Sequence, residues 1–140
     1  MSSEPVHAQA TLGYAILYVK DVPASLGFYE QAFGLTRRFL HDEGGKAYGE
    51  LETGAARLAF ASLPLVQDHL KDGVTIAAPD KPPLGFEVAL VTPDVKGLYD
   101  RALKAGAASV TPPETKPWGQ TVAYVRDNNG FLVELCTPLP

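Results

Sequence analysis

One cysteine, one tryptophan, one methionine and three histidines are all that 140 residues contain of the side chains most often used for redox, thiol or zinc chemistry. Cys136 alone permits no internal disulfide and supplies no thiolate set for a structural zinc, which fits a reducing cytoplasm. Twelve basic residues against 16 acidic ones give a net charge of −4 without a basic stripe, so neither nucleic acid nor an anionic membrane is an expected partner. No apolar run reaches the length of a membrane span, and the opening MSSEPVHAQA lacks both the basic and the apolar regions of an export signal. The chain is therefore expected to be soluble and unexported, with residues 1–10 a disordered tail and 11–140 a single domain. The Gly44-Gly45 pair stands in a hairpin rather than before a helix, so it is no phosphate loop, and no serine triad can be assembled.

The order of elements appears twice. LGYAILYVKD reads as a buried strand, and VPASLGFYEQAFG continues it with helical spacing that puts Leu26, Tyr29 and Phe33 on one face. Pro23 suits a first helical turn and Gly34 a left-handed cap, which predicts a helix over 22–33. Strand-like pieces follow around 35–41, 46–53 and 56–62, separated by glycine-bearing turns. The second half repeats this with GFEVALVT, a helix from Asp94 to Gly106, and strands near 107–111, 119–127 and 130–137. Thirteen positions separate Asp21 from Gly34, and twelve separate Asp94 from Gly106. The pattern predicts an α+β fold of two βαβββ modules, at about 12–63 and 84–138, joined by a proline-bearing connector at 64–83 that could serve as a lid. Strands apolar on both faces imply helices on one side and a cupped sheet around a cavity on the other.

Within the last strand, FLVELC, Glu134 is the misfit, since a buried carboxylate needs a proton, a cation or hydrogen-bond donors. If Val133 and Leu135 pack beneath the helices, Leu132, Glu134 and Cys136 face the cavity.

The segments VKDVPASLGFYEQAFGL, VTPDVKGLYDRALKAGA and PWGQTVAYVRDNNGFLVEL resemble the vicinal oxygen chelate superfamily, which groups glyoxalase I, bleomycin-resistance proteins and extradiol dioxygenases. The resemblance spans Leu12 to Pro138 and implies the paired βαβββ fold, a cavity between sheet halves and a homodimer. Its metalloenzymes place ligands on the first and last strands of each module, which here gives Tyr14, Leu58, Glu87 and Glu134. Glutamates are competent ligands, whereas a neutral tyrosine is poor and a leucine offers nothing, even if the register moves to Ala59 or Phe60. His7, His41 and His69 read as tail, hairpin-end and connector residues away from the cavity strands.

Glu87 and Glu134 are thus the candidate catalytic or metal-binding pair, and no cofactor is favoured, a divalent metal being the alternative. Two carboxylates close together favour a cationic, amine-bearing small molecule, with Tyr14, Tyr18, Leu58, Phe60, Trp118 and Tyr124 supplying contact area. The preferred expectation is a small-molecule-binding protein like the bleomycin-resistance proteins. A glyoxalase I-like metal-dependent lyase or isomerase comes second, and a metal-free enzyme with a glutamate general base third.

Overall fold

The structure is a computed structural model that describes residues 8–140, so His7 and most of the expected tail lie outside the described residues. β1 (Tyr14–Val19) enters α1 (Val22–Phe33) through Asp21, whose carboxylate accepts from the Ala24 N–H at 3.0 Å. That bond satisfies one of the helix's otherwise unpaired first-turn donors, and Gly34 ends the helix at φ 70°. β2 (Thr36–Glu43), β3 (Lys46–Glu52) and β4 (Arg57–Ser62) complete the first module, and α2 (Leu63–Gln67) is a single turn in the connector. The second module repeats the plan: β5 (Val88–Val91), α3 (Val95–Lys104), β6 (Ala108–Thr115), β7 (Thr121–Arg126) and β8 (Leu132–Cys136). Asp94 caps α3 as Asp21 caps α1, accepting from the Gly97 N–H at 2.9 Å.

Each module forms a four-stranded mixed sheet, in the orders β1-β4-β3-β2 and β5-β8-β7-β6. The first strand of each module runs parallel to the last, and the other neighbours are antiparallel. β6 extends through Pro112 and Pro113, beyond the stop at 111 that those prolines suggest. It can do so because it is an edge strand whose outer side needs no donors, and the register slips on both sides of Thr111.

Alternate strand residues face the helices: Leu17, Val19, Leu58 and Phe60 in the first module, Ala123, Val125, Val133 and Leu135 in the second. With α1 and α3 packed on each other, they form one continuous core. Polar contacts also fix this junction. The Arg101 Nε of α3 donates to the Gln31 carbonyl at 2.7 Å, placing a cation at the negative end of α1. The Tyr29 hydroxyl of α1 donates to Asp127 Oδ2 at 2.7 Å in the buried turn before β8. Asp127 also accepts the N–H groups of Asn129 and Phe131, while burial still raises its carboxyl above the usual range.

The connector is tied down at that same turn. Arg126 donates to the carbonyls of Ala78 and Pro79 at 2.9 and 3.4 Å, and a Cβ on Gly130 would lie 2.7 Å from the Ala78 carbonyl carbon. Glycine is therefore required where the connector crosses the turn.

Candidate functional site: two open sheet faces

The strand faces turned away from the helices carry the polar side chains. In the second module one row runs Ala89, Glu134, Tyr124, Thr111, and the next runs Val91, Cys136, Val122. Val133 and Leu135 lie fully buried under α3, which leaves Glu134 half-buried on this face, as the alternation predicts. The Tyr124 hydroxyl donates to Glu134 Oε1 at 3.0 Å.

Glu87, exposed just ahead of β5, meets Glu134 carboxyl to carboxyl. The hydrogen bond they share pushes the Glu87 carboxyl up to about 7, with burial and the Glu134 charge acting the same way. The same bond holds Glu134 below its ordinary value, opposed by burial and helped by Tyr124 and Cys136. The two carboxyls thus hold one proton as a pair. Burial, then Glu134, drive the Tyr124 phenol up to about 12 and the Cys136 thiol up to about 11. Cys136 therefore stays a thiol near neutral pH and is no nucleophile.

The first module's open face is built differently. Its rows run Ile16, Ala59, Glu50, Phe39 and Tyr18, Ala61, Tyr48, His41. Glu50 is only 4% exposed, and it accepts from Tyr48 Oη at 2.7 Å and from Arg38 Nη1 at 3.0 Å. Arg38 reaches it because the β2 register slips between Arg37 and Phe39, a bulge that turns the extra residue onto the open side. Burial first, then the bond to Glu50, raises the Tyr48 phenol. Phe39 lies 5.0 Å from His41 and 5.9 Å from Tyr48, ring centre to ring centre, giving this face an aromatic surface.

Several sequence expectations are corrected here. The partner of Glu134 in the repeat is Ala59, since Ile16 faces Ala59 and Ala89 faces Glu134, each five positions ahead of a capping aspartate. Leu58 faces Ala15 instead and is buried on the helix side. Phe60 is fully buried against Tyr29, 5.1 Å between ring centres, so it belongs to the core and not to a binding face. His41 lies within β2 on the open face rather than off the cavity strands. Tyr14 is 58% exposed at the start of β1, and Trp118 is 56% exposed in the β6–β7 turn with its indole N–H on Gln120. Tyr18 is half-buried and lines a small polar recess of about 330 Å³ with connector residues Ile76 to Asp80. Glu50 and Arg38 were not foreseen. Their signal is the alternation of Tyr48 and Glu50 in KAYGELE, which repeats the Glu134 anomaly on a different strand.

Two repeated βαβββ modules, each with its helix on one sheet face and polar groups on the other, define a two-module α+β protein of the glyoxalase fold. The chain belongs to the Glyoxalase/Bleomycin resistance protein/Dioxygenase superfamily, whose sequence profile matches residues 11–135. The fold is similar to that of a glyoxalase-related enzyme from Fulvimarina pelagi, at 22% identity and TM-score 0.74 over 93% of this chain and 89% of that one. It is also similar to TioX from Micromonospora sp. ML1, at 22% identity and TM-score 0.67 over 91% and 98%. A superfamily member from Sphaerobacter thermophilus DSM 20745 gives 24% identity and TM-score 0.69 over 93% and 98%. No curated protein matches the chain significantly.

Members of this superfamily often use divalent metals, and the residues here do not fit one. The four equivalent positions hold Tyr14, Ala59, Glu87 and Glu134, so two offer carboxylates and two only an alanine and a tyrosine, where a catalytic ion usually needs three protein ligands. Glu50 cannot replace the missing donor, being held by Arg38 and Tyr48. Among the described residues no group of three or more His, Cys, Asp or Glu side chains is gathered.

Proposed function

We propose that the chain is a small-molecule-binding protein, similar in mode to bleomycin-resistance proteins, in which the open face of the second module takes an amine-bearing ligand. The observation that carries this is the Glu87–Glu134 pair, neutralised only by a shared proton. An ammonium group replaces that proton with several donors and a full charge, which suits two acceptor carboxylates better than one hydrogen does. Tyr124 beside the pair supplies surface for the rest of the ligand.

The working unit is a homodimer in the cytoplasm. Tyr14 and Ile16 are exposed large apolar residues on the open face of the unpaired edge strand β1, and a second copy would cover them. Light scattering of the purified chain reads the dimer directly.

Calorimetry with primary amines and isosteric alcohols tests the ligand reading. Amines bind and alcohols do not, binding near pH 6 releases a proton seen as buffer-dependent heat, and Glu134→Gln weakens affinity at least tenfold. Equal binding of alcohols and amines overturns it. So does a stoichiometric divalent metal held by both glutamates, which would return the site to glyoxalase I-like chemistry.

A further inference from the structure

A cleft of about 700 Å³ separates the two modules, within the ordinary size of a small-molecule site. Its wall includes Phe33, Leu35 and Leu58 from the first module and Phe86, Leu90 and Leu98 from the second. The cleft follows the free edge of β5, for Val88 and Leu90 from the helix side and Ala89 and Val91 from the open side all line it. Glu87 lines it too, so the cavity reaches one member of the carboxyl pair, with Glu134 bonded to it from outside the lining. Among the described residues the other charged lining residue is Arg57, which is ion-paired with Glu52. A bound anion would have to break that pair, whereas a cation at Glu87 breaks nothing but a carboxyl–carboxyl hydrogen bond. Connector residues 64–83 do not line the cleft.

Resting on the amine reading above, we infer that the ligand is an amphiphilic amine: its ammonium sits at Glu87 and Glu134, and its aliphatic or aromatic body enters the apolar cleft between β1 and β5. Charge at the mouth and apolar wall behind it select together for one molecule carrying both. Small hydrophilic amines use only the mouth, and apolar molecules without charge leave the carboxyl pair unmet.

The test is a calorimetric series of straight-chain primary amines from ethylamine to octylamine, below their micelle concentrations, with alcohols and carboxylates of the same lengths as controls. Affinity rises about fourfold per added methylene while the chain is entering the cleft, the value expected for burying one CH₂. Alcohols and carboxylates of equal length bind at least tenfold more weakly. Leu98→Trp, which fills the cleft, flattens the slope, and circular dichroism checks its folding. Should that variant unfold, the slope in the unaltered chain decides alone. Amines that bind equally whatever their length overturn the cleft assignment and leave the amine reading standing. No amine binding at all overturns the amine reading itself. Alcohols that match amines at every length overturn the pairing of charge with cleft.

Discussion

The two open faces solve one problem in opposite ways. Each puts a carboxylate on a sheet interior next to a tyrosine hydroxyl: Glu50 with Tyr48 in the first module, Glu134 with Tyr124 in the second. Glu50 is more deeply buried and is met by a cation, Arg38, delivered by a strand bulge. Glu134 is half-buried and is met by a second acid, Glu87, which can neutralise it only by lending a proton. The first arrangement is closed, since every partner comes from the chain. The second leaves a place for a partner from outside. A permanent ion pair on one face and a proton in a shared bond on the other explain why only the second face is read as a binding site.

The strongest way to break this contrast is Arg38→Ala. It leaves Glu50 buried with the tyrosine alone, and should cost about 3 kcal/mol in a chemical-denaturation measurement. A loss below about 1 kcal/mol would mean that Glu50 is as well solvated as Glu134. The tyrosines sharpen the comparison on a smaller scale. Tyr48→Phe should cost about 1–2 kcal/mol, because it strips a donor from a buried carboxylate, and Tyr124→Phe about 0.5 kcal/mol, because water reaches Glu134. Equal costs would erase the distinction.

The smallest effect is the dependence of stability on pH. Glu87 is raised in the folded chain, so its contribution is complete below the unfolded value near 4.5 and is lost as pH rises through about 7. Glu134 is lowered, so its contribution is present above the ordinary glutamate value and is lost as pH falls through its folded value. Stability should therefore fall between pH 5 and pH 8, by less than about 1 kcal/mol because Glu87 is exposed and water screens the pair. Glu134→Gln should fold and flatten that slope, since it removes the carboxylate that holds Glu87's proton. A slope unchanged in this variant would place its origin elsewhere.

The repeat, both main helices and the order of elements along the chain were legible because their signals are local: Asp21 and Asp94 cap, Gly34 and Gly106 stop, and apolar residues keep their periods. The place of Glu134 on the open face was legible because a charge in an apolar strand stands out, and Glu87 was singled out by the ligand spacing that the family resemblance implies. The Glu50–Arg38 pair was not. Nothing local marks the bulge in TRRFL, and two adjacent arginines read as a solvated edge until the slipped register sends Arg37 to Glu30 on the helix and Arg38 to the open face. The choice between Leu58 and its neighbour Ala59 stayed open for a related reason. A loop between β3 and β4 can differ by one residue from the β7–β8 turn, and a shift of one exchanges the two faces of a strand.

The Tyr29–Asp127 hydrogen bond spans 98 positions and joins a helix of the first repeat to the last turn of the second. Either repeat expressed alone would keep half of it: a phenol without its acceptor, or a carboxylate without its hydroxyl, in each case at the surface where α1 and α3 should meet. The duplication visible in the sequence has therefore become indivisible. The two halves should melt in one transition, and a protease that nicks the connector should leave them associated.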